Sequence, residues 1–498
     1  MLSPFFAGDP VTLPVRAASA ARHDLWKDDD GLGRCNSPPL PEVWPADRRV
    51  RSRGSNDMRA ANRGARQLTH DTGPEASRPP ANGGAVRRPA DIALRRERPA
   101  ARRLAAARLA SPKILLYSHD TFGLGNIRRT LLLAQELSEQ YTGAAILLVT
   151  GSQMVHSFRI PDGVDYIKLP CLDRVDAERY EPRFLRSWSE EVKRTRSAIL
   201  EMSVLGFEPD LMIVDKRPAG VDGELTETLK KIRRGRLPTK LVLGMRDILD
   251  EPERTRRTLR GNGSFEAIEQ FYDEVWVYGS RSIFDTVREY GFPEAVAHVT
   301  RFCGYLKRPT APRERRPGPP HVLVTTGGGG DGAAMTEAYL EGLASLPRNV
   351  ALRTTVVFGP QMSEAARAAT RERFGYLADV TFLDFEPDLT RLYSESDIVV
   401  SMAGYNTVCE LLSFGHHAIL VPRAEPVREQ LIRARLLAAQ GLFDLVEPRD
   451  LCPATLISKV LAALKPVEVA RVPFDLDGLP RIRERMRALL GGEEGEES

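Results

Sequence analysis

Long apolar runs are missing from this chain of 498 residues. No stretch approaches the roughly 18 to 20 consecutive apolar residues that a membrane-spanning helix needs, so none is expected. Cysteine is scarce: Cys35, Cys171, Cys303, Cys409 and Cys452 are scattered and form no CxxC pair. That spacing argues against a disulfide framework or a zinc site and fits a reducing cytoplasm. The opening MLSPFFAGDPV lacks a basic segment and a long enough apolar run for a secretory signal. Asp28, Asp29 and Asp30 count against an Arg-rich transit peptide. Lysine is nearly absent from the first 110 residues, where Lys27 stands alone among 20 basic and 12 acidic side chains. That segment is therefore net +8, the whole chain is +4, and the remainder is net −4. A nucleic-acid role for the folded part has no electrostatic support.

What is present falls into distinct regions. Residues 1–110 are rich in Arg, Pro, Ala and Gly without sustained apolar periodicity, and read as a disordered basic segment. From Lys113 onward, strand-length apolar runs alternate with amphipathic stretches, the pattern of a mostly parallel sheet. The first half offers KILLYS (113–118), AAILLVT (144–150), DYIKLP (165–170), DLMIVD (210–215), KLVLGM (240–245) and EVWVYG (274–279). The Pro- and Arg-rich RPTAPRERRPGPP (308–320) reads as a linker. A second set then begins: HVLVTT (321–326), RTTVVFG (353–359), DVTFLDF (379–385), DIVVSMAG (397–404), HAILVPR (417–423) and FDLVEP (443–448). The expected organisation is an α/β chain with two Rossmann-like parallel-sheet domains, 111–307 and 321–466, facing a cleft. A helix and an acidic tail occupy 467–498.

Four segments carry candidate chemistry. HDTFGLGNIRR (119–129) follows a strand and opens a helix; Gly123 and Gly125 permit close approach of a ligand, with Asn126 and Arg128 beside them. The third position of a dinucleotide fingerprint is Arg128, and no acid ends the second strand, so NAD binding is disfavoured. TTGGGGDGAA (325–334) places Gly327, Gly328, Gly329 and Gly330 between strand and helix, where bare amides suit a phosphate. Ala333 and Ala334 stand where a Walker A loop needs Lys and Ser/Thr, which excludes a P-loop. In SMAGYNTVCELLSFG (401–415), Gly404 ends a strand, Asn406 or Thr407 is expected to cap a helix, and Glu410 shares their face. A carboxylate there suits the two hydroxyls of a ribose. In EPVREQLIRA (425–434), Glu429 and Gln430 open a further helix.

These last segments resemble the donor-binding half of glycosyltransferase family 28, strongly over about 320–450, weakly over 113–305, and not over 1–110. The resemblance implies a GT-B fold in which TTGGGGDGAA is the donor loop, Glu410 binds ribose, and Gln430 lies near the diphosphate or sugar. The first loop, GLGNIRR, has Asn126 where the family usually has histidine, and an amide cannot take a proton. Asp120, Asp247 and His119 are the remaining candidates for the acceptor-side base. Each also has a plain structural reading: Asp120 as a brace of the turn, Asp247 as a partner of Arg246, His119 as a packed strand end.

The expected activity is therefore inverting, metal-independent transfer of a sugar from a nucleoside-diphosphate sugar, with UDP the expected carrier, needing no cofactor. The acceptor is unknown, and a lipid-linked one at the membrane periphery is compatible. Two rivals are a non-hydrolysing sugar-nucleotide epimerase and a catalytically inactive binding module, the latter kept open by Asn126.

Overall fold

The computed structural model describes residues 12–15, 110–119, 124–175, 179–314, 316–465 and 470–491. Most of the basic segment, and with it Asp120 and Gly123 of the first loop, lies outside the described residues. Thr12–Val15 (β1) is described and pairs antiparallel with Ala470–Pro473 (β17), so a part of the segment expected to lack structure joins a two-stranded ladder. Among the described residues, no helix is long and apolar enough to cross a membrane.

The first half builds a seven-stranded parallel sheet. Its strands are Lys113–Ser118 (β2), Ala145–Thr150 (β3), Val164–Lys168 (β4), Leu211–Asp215 (β7), Lys240–Arg246 (β8), Glu274–Tyr278 (β9) and Thr300–Phe302 (β10). They lie in the order β10-β9-β8-β7-β2-β3-β4. Between β4 and β7 the chain inserts a small antiparallel hairpin, Leu172–Arg174 (β5) and Tyr180–Pro182 (β6). The second half builds a six-stranded parallel sheet from His321–Thr325 (β11), Arg353–Val357 (β12), Val380–Leu383 (β13), Ile398–Ser401 (β14), Ala418–Leu420 (β15) and Asp444–Leu445 (β16), ordered β13-β12-β11-β14-β15-β16. The apolar runs of β7, β9 and β11 are buried along their whole length, as parallel strands covered on both faces require.

Both sheets reverse their winding beside the strand that carries a glycine loop. The switch lies between β2 and β7 in one sheet and between β11 and β14 in the other. Ligands of open parallel sheets bind beyond the carboxyl ends of the strands at such points. The helices that follow are Gly125–Gln140 (α1) after β2, Ala333–Ala344 (α2) after β11, Tyr405–Phe414 (α3) after β14 and Glu429–Ala439 (α4) after β15. In α1 the residues at helical spacing, Ile127, Leu131, Leu132, Ala134 and Leu137, face the core.

The lobes are joined by more than the connector. One apolar cluster includes Ile114 and Leu132 from the first lobe and Tyr405 and Leu411 from the second. The C-terminal helix Gly478–Gly491 (α5) returns to the first lobe, where Arg483 meets Glu136 at 2.9 Å and Arg485 Nε donates to Glu274 at 3.2 Å. Arg308, at the start of the expected linker, is buried: its guanidinium donates to Asn406 Oδ1 (2.6 Å) and to the Arg128 carbonyl (3.2 Å).

Candidate functional site

A cleft of about 1100 Å³ opens at the carboxyl ends of both sheets and is lined by both lobes. From the expected set it gathers His119, Gly125, Asn126 and Arg128 on one wall, and Gly327 to Gly330, Gly404, Asn406, Thr407, Glu429 and Gln430 on the other. Among the described lining residues, neither Asp247 nor Glu410 appears.

On the C-terminal wall, two helix N-termini converge. Helix α2 starts after Gly332 and α3 after Gly404, and the N–H groups of a first turn have no carbonyl four residues back. A Cβ at Gly327 would stand 3.7 Å from Thr407 Oγ1, so the glycine loop and the start of α3 are neighbours. Gly404 itself is the N-cap and α3 has no side-chain cap, which corrects the expectation that Asn406 or Thr407 would serve. The glycine run also has a packing reason that the sequence hides. Gly329 has φ +93°, and a Cβ there would lie 2.4 Å from the Phe358 carbonyl; at Gly328 it would lie 2.8 Å from Gln361 Oε1. The loop is thus pressed against the turn after β12, and close packing accounts for part of the glycine content. Arg423, after β15, ties the wall together, meeting Asp331 at 2.9 Å and Glu429 at 3.1 Å, while its backbone N–H donates to Gln430 Oε1 at 3.4 Å.

Two expected donor contacts are engaged elsewhere. The Glu410 carboxylate is buried and is bound by the guanidinium of Arg128, from the opposite lobe, and by the Tyr393 hydroxyl at 3.1 Å. It is not open to the cleft, because α1 packs over this face of α3. Asn406 bridges the lobes as well: its Nδ2 donates to the Gly125 carbonyl at 2.9 Å.

On the N-terminal wall, His119 follows β2, is buried, and its Nδ1 has no hydrogen-bond partner among the described residues. Burial, then Lys216, Arg217, Arg196 and Arg129, hold its pKa well below the usual histidine value. The ring is therefore neutral at neutral pH and keeps an acceptor lone pair. Asn126 accepts from Arg129 at 3.1 Å, and Arg129 is anchored on Asp215 Oδ1 at 2.5 Å.

Asp247 is corrected as a candidate base. It is fully buried, accepts from the Tyr305 hydroxyl (2.5 Å) and the Ile248 N–H (2.8 Å), and faces Arg433 of α4 at 3.6 Å. Arg433 also donates to the Ile248 and Ala403 carbonyls. Asp247 pins the lobes together and does not pair with Arg246, which instead lies 3.8 Å from Glu429.

Sequence reasoning passed over two features. One is Lys216 and Arg217, directly after β7 in IVDKRP, which join Arg246 in the cleft. A basic pair at the carboxyl end of a strand beside the switch point was the available signal. The other is a surface patch. Phe184, Leu185 and Trp188 are 72%, 54% and 59% exposed and lie beside Arg183, which itself lines the cleft.

Comparison with known proteins follows the same division. Residues 321–471 match the glycosyltransferase family 28 C-terminal domain. The UDP-N-acetylglucosamine–N-acetylmuramyl-(pentapeptide) pyrophosphoryl-undecaprenol N-acetylglucosamine transferase of Cupriavidus necator is 29% identical over 169 residues, 34% of this chain and 46% of that protein. The protein of the same name from Paraburkholderia phymatum is 34% identical over 171 residues, 32% and 45% of the two chains. The chain thus spans under half the length of these relatives. A crystal structure of a putative UDP-N-acetylglucosamine 2-epimerase from Listeria monocytogenes superposes with a TM-score of 0.51 at 13% identity, covering 77% of this chain and 98% of that one. That likeness concerns the fold, which is of the two-lobed GT-B type.

Proposed function

We propose that this chain, whose residues 321–471 form a glycosyltransferase family 28 C-terminal domain, transfers a sugar from a nucleoside-diphosphate sugar to an acceptor held against the N-terminal lobe. The observation that carries this reading is the convergence of the glycine loop and the start of α3 on one wall of a cleft whose opposite wall presents a neutral imidazole.

The N-termini of α2 and α3 would face the departing diphosphate, with Arg423 nearby, so that charge developing on the leaving group meets preorganised positive potential. A metal ion is not required for that role, and no cofactor is called for. UDP is the carrier favoured by the activity for which the relatives are named. His119 would accept the hydrogen bond of the attacking hydroxyl, and direct attack across the cleft gives inversion. Glu410 would take the ribose hydroxyls only once Arg128 releases it.

The acceptor would be presented at the surface of a membrane, with the protein peripheral to it on the cytoplasmic side. The apolar patch Phe184, Leu185 and Trp188, with Arg183, Arg186 and Arg179 around it, supports this reading, as does the lipid named in the relatives' activity.

The test is a thermal-shift panel of UDP, GDP, dTDP, ADP and CDP on the full chain, with and without magnesium. One diphosphate should stabilise it selectively, by about 2.7 kcal/mol at a hundredfold excess over its Kd. No shift with any nucleotide would remove the donor-site reading. Conversion of a nucleotide sugar without an acceptor would indicate an epimerase, and binding without turnover a binding module.

A further inference from the structure

The N-terminal wall of the cleft is far more basic than catalysis on a neutral hydroxyl requires. Among the described residues, eight Lys and Arg side chains from this lobe line it, against three carboxylates. Several are matched: Arg128 with Glu410, Arg129 with Asp215, Arg183 with Asp173 and Arg254 with Asp250. Three others, Lys216, Arg217 and Arg246, gather at the carboxyl ends of β7 and β8, beside the switch point; Arg217 there donates to the Tyr180 hydroxyl at 2.8 Å.

The cluster is held in place at a cost. Lys216 has φ +68°, in the left-handed region that a non-glycine residue rarely adopts, and its N–H donates to the Gly244 carbonyl at 2.7 Å. That backbone directs the residue into the cleft instead of along the strand. Burial together with Arg246, Arg217 and Arg174 pushes its ammonium down to about 7. Arg246 is also held below the usual arginine value, by burial first and by Arg129 and Arg433. Among the described residues its buried Nε has no partner, and the carboxylate nearest its guanidinium is Glu429 at 3.8 Å, which is closer to Arg423. Like charges crowded in a half-buried wall are relieved by an anion.

We propose that Lys216, Arg217 and Arg246 form an anion subsite that seats a phosphate or carboxylate group of the acceptor, separate from the place of the donor's diphosphate. The word acceptor rests on the transferase reading above; the anion subsite does not. The chemistry needed is a compact group of two or more negative charges, within reach of His119, which follows the neighbouring strand β2. Charge-assisted hydrogen bonds to such a group would use the unpartnered Nε of Arg246 and the Lys216 ammonium.

The test titrates inorganic pyrophosphate into the full chain, alone and with saturating UDP, for the wild type, Lys216→Asn and Arg246→Gln. Pyrophosphate is expected to bind in the presence of UDP, each variant to weaken it by about tenfold or more, and UDP affinity to hold within about twofold. Lys216→Asn should melt no lower than the wild type, because asparagine tolerates positive φ, so lost binding would not reflect lost folding. Displacement of pyrophosphate by UDP, or parallel loss of UDP in both variants, would assign the cluster to the donor's diphosphate and overturn the proposal. Unchanged pyrophosphate binding in both variants would overturn it too. Lys216-dependent pyrophosphate binding in a chain that binds no nucleotide would sink the transferase reading and leave the subsite standing.

Discussion

The two walls of the cleft prepare for negative charge by different means. The C-terminal wall uses backbone: glycine turns and two helix starts, with Arg423 as the one lining cation among the described residues, against the carboxylates of Asp331 and Glu429. The N-terminal wall uses side chains, eight cations against three carboxylates among the described residues. Backbone dipoles are fixed by the fold and unaffected by pH. A crowd of guanidinium and ammonium groups is stable only in part, and its charge state and partners shift with conditions. The first wall suits a group that every donor shares; the second suits discrimination among acceptors by charge.

The largest expected effect would break the frame that sets the walls against each other. Asp247→Asn leaves Arg433 without its buried countercharge between the lobes, and should lower unfolding stability by about 3–5 kcal/mol, measured by denaturant titration. Full stability with loss of activity would instead restore Asp247 as a catalytic group. Gly329→Ala comes next. With φ +93° and a Cβ 2.4 Å from the Phe358 carbonyl, strain and clash should together cost about 3 kcal/mol, and nucleotide protection should fall with them. A variant of normal stability would show that the loop is freer than its packing implies.

A smaller effect separates the walls by pH. Lys216 titrates near 7 in the folded chain against about 10.4 in a free one. Around it are Arg217 on the same loop, Arg174 at the end of β5, Arg246 at the end of β8, Glu429 on α4, and His119 after β2, which is already neutral. Sulfate keeps its charge across this range, so its stabilisation of the chain should weaken as Lys216 loses its proton, from about pH 6 to about pH 8. The unliganded chain should behave oppositely. Between about 7 and about 10.4 the unfolded lysine holds a proton that the folded one has released, so this residue's contribution to stability rises with pH. Sulfate protection that is flat with pH in the wild type, or identical in Lys216→Asn, would contradict this assignment.

The sequence was informative where periodicity and turn chemistry act locally. KILLYS appears as β2 residue for residue, and the twelve expected strands all occur, with ends shifted by a residue or more. The glycine loop 327–330 and the openings of α3 and α4 lie beside the cleft. What escaped was set by partners distant in the chain. Glu410 reads as a ribose ligand until Arg128, 282 residues away, is seen to hold it. Asp247 reads as a strand-end acid until Arg433 and Tyr305 arrive from other elements. The short hairpin β5–β6 and the strand pair β1–β17 carry too few residues for a period to show. Lys216 was missed because nothing in IVDKRP reveals a positive φ.

The smallest expected change on the chain itself concerns another glycine, and it sharpens the contrast between the walls. Gly329 is glycine because the fold leaves no room. Gly125, the first residue of α1, has none of the described residues within 4 Å of where a Cβ would stand, and its φ is not positive. Alanine there should therefore be tolerated, with stability equal or raised by about 0.5 kcal/mol through the lower entropy of the unfolded chain. Yet Gly125 lines the cleft, and its carbonyl accepts from Asn406. If a ligand approaches the α1 backbone closely, Gly125→Ala should raise KM for the acceptor several-fold while the melting temperature holds and UDP affinity is unchanged. If KM is unaffected, nothing comes near this backbone, and acceptor recognition belongs to the basic side chains alone.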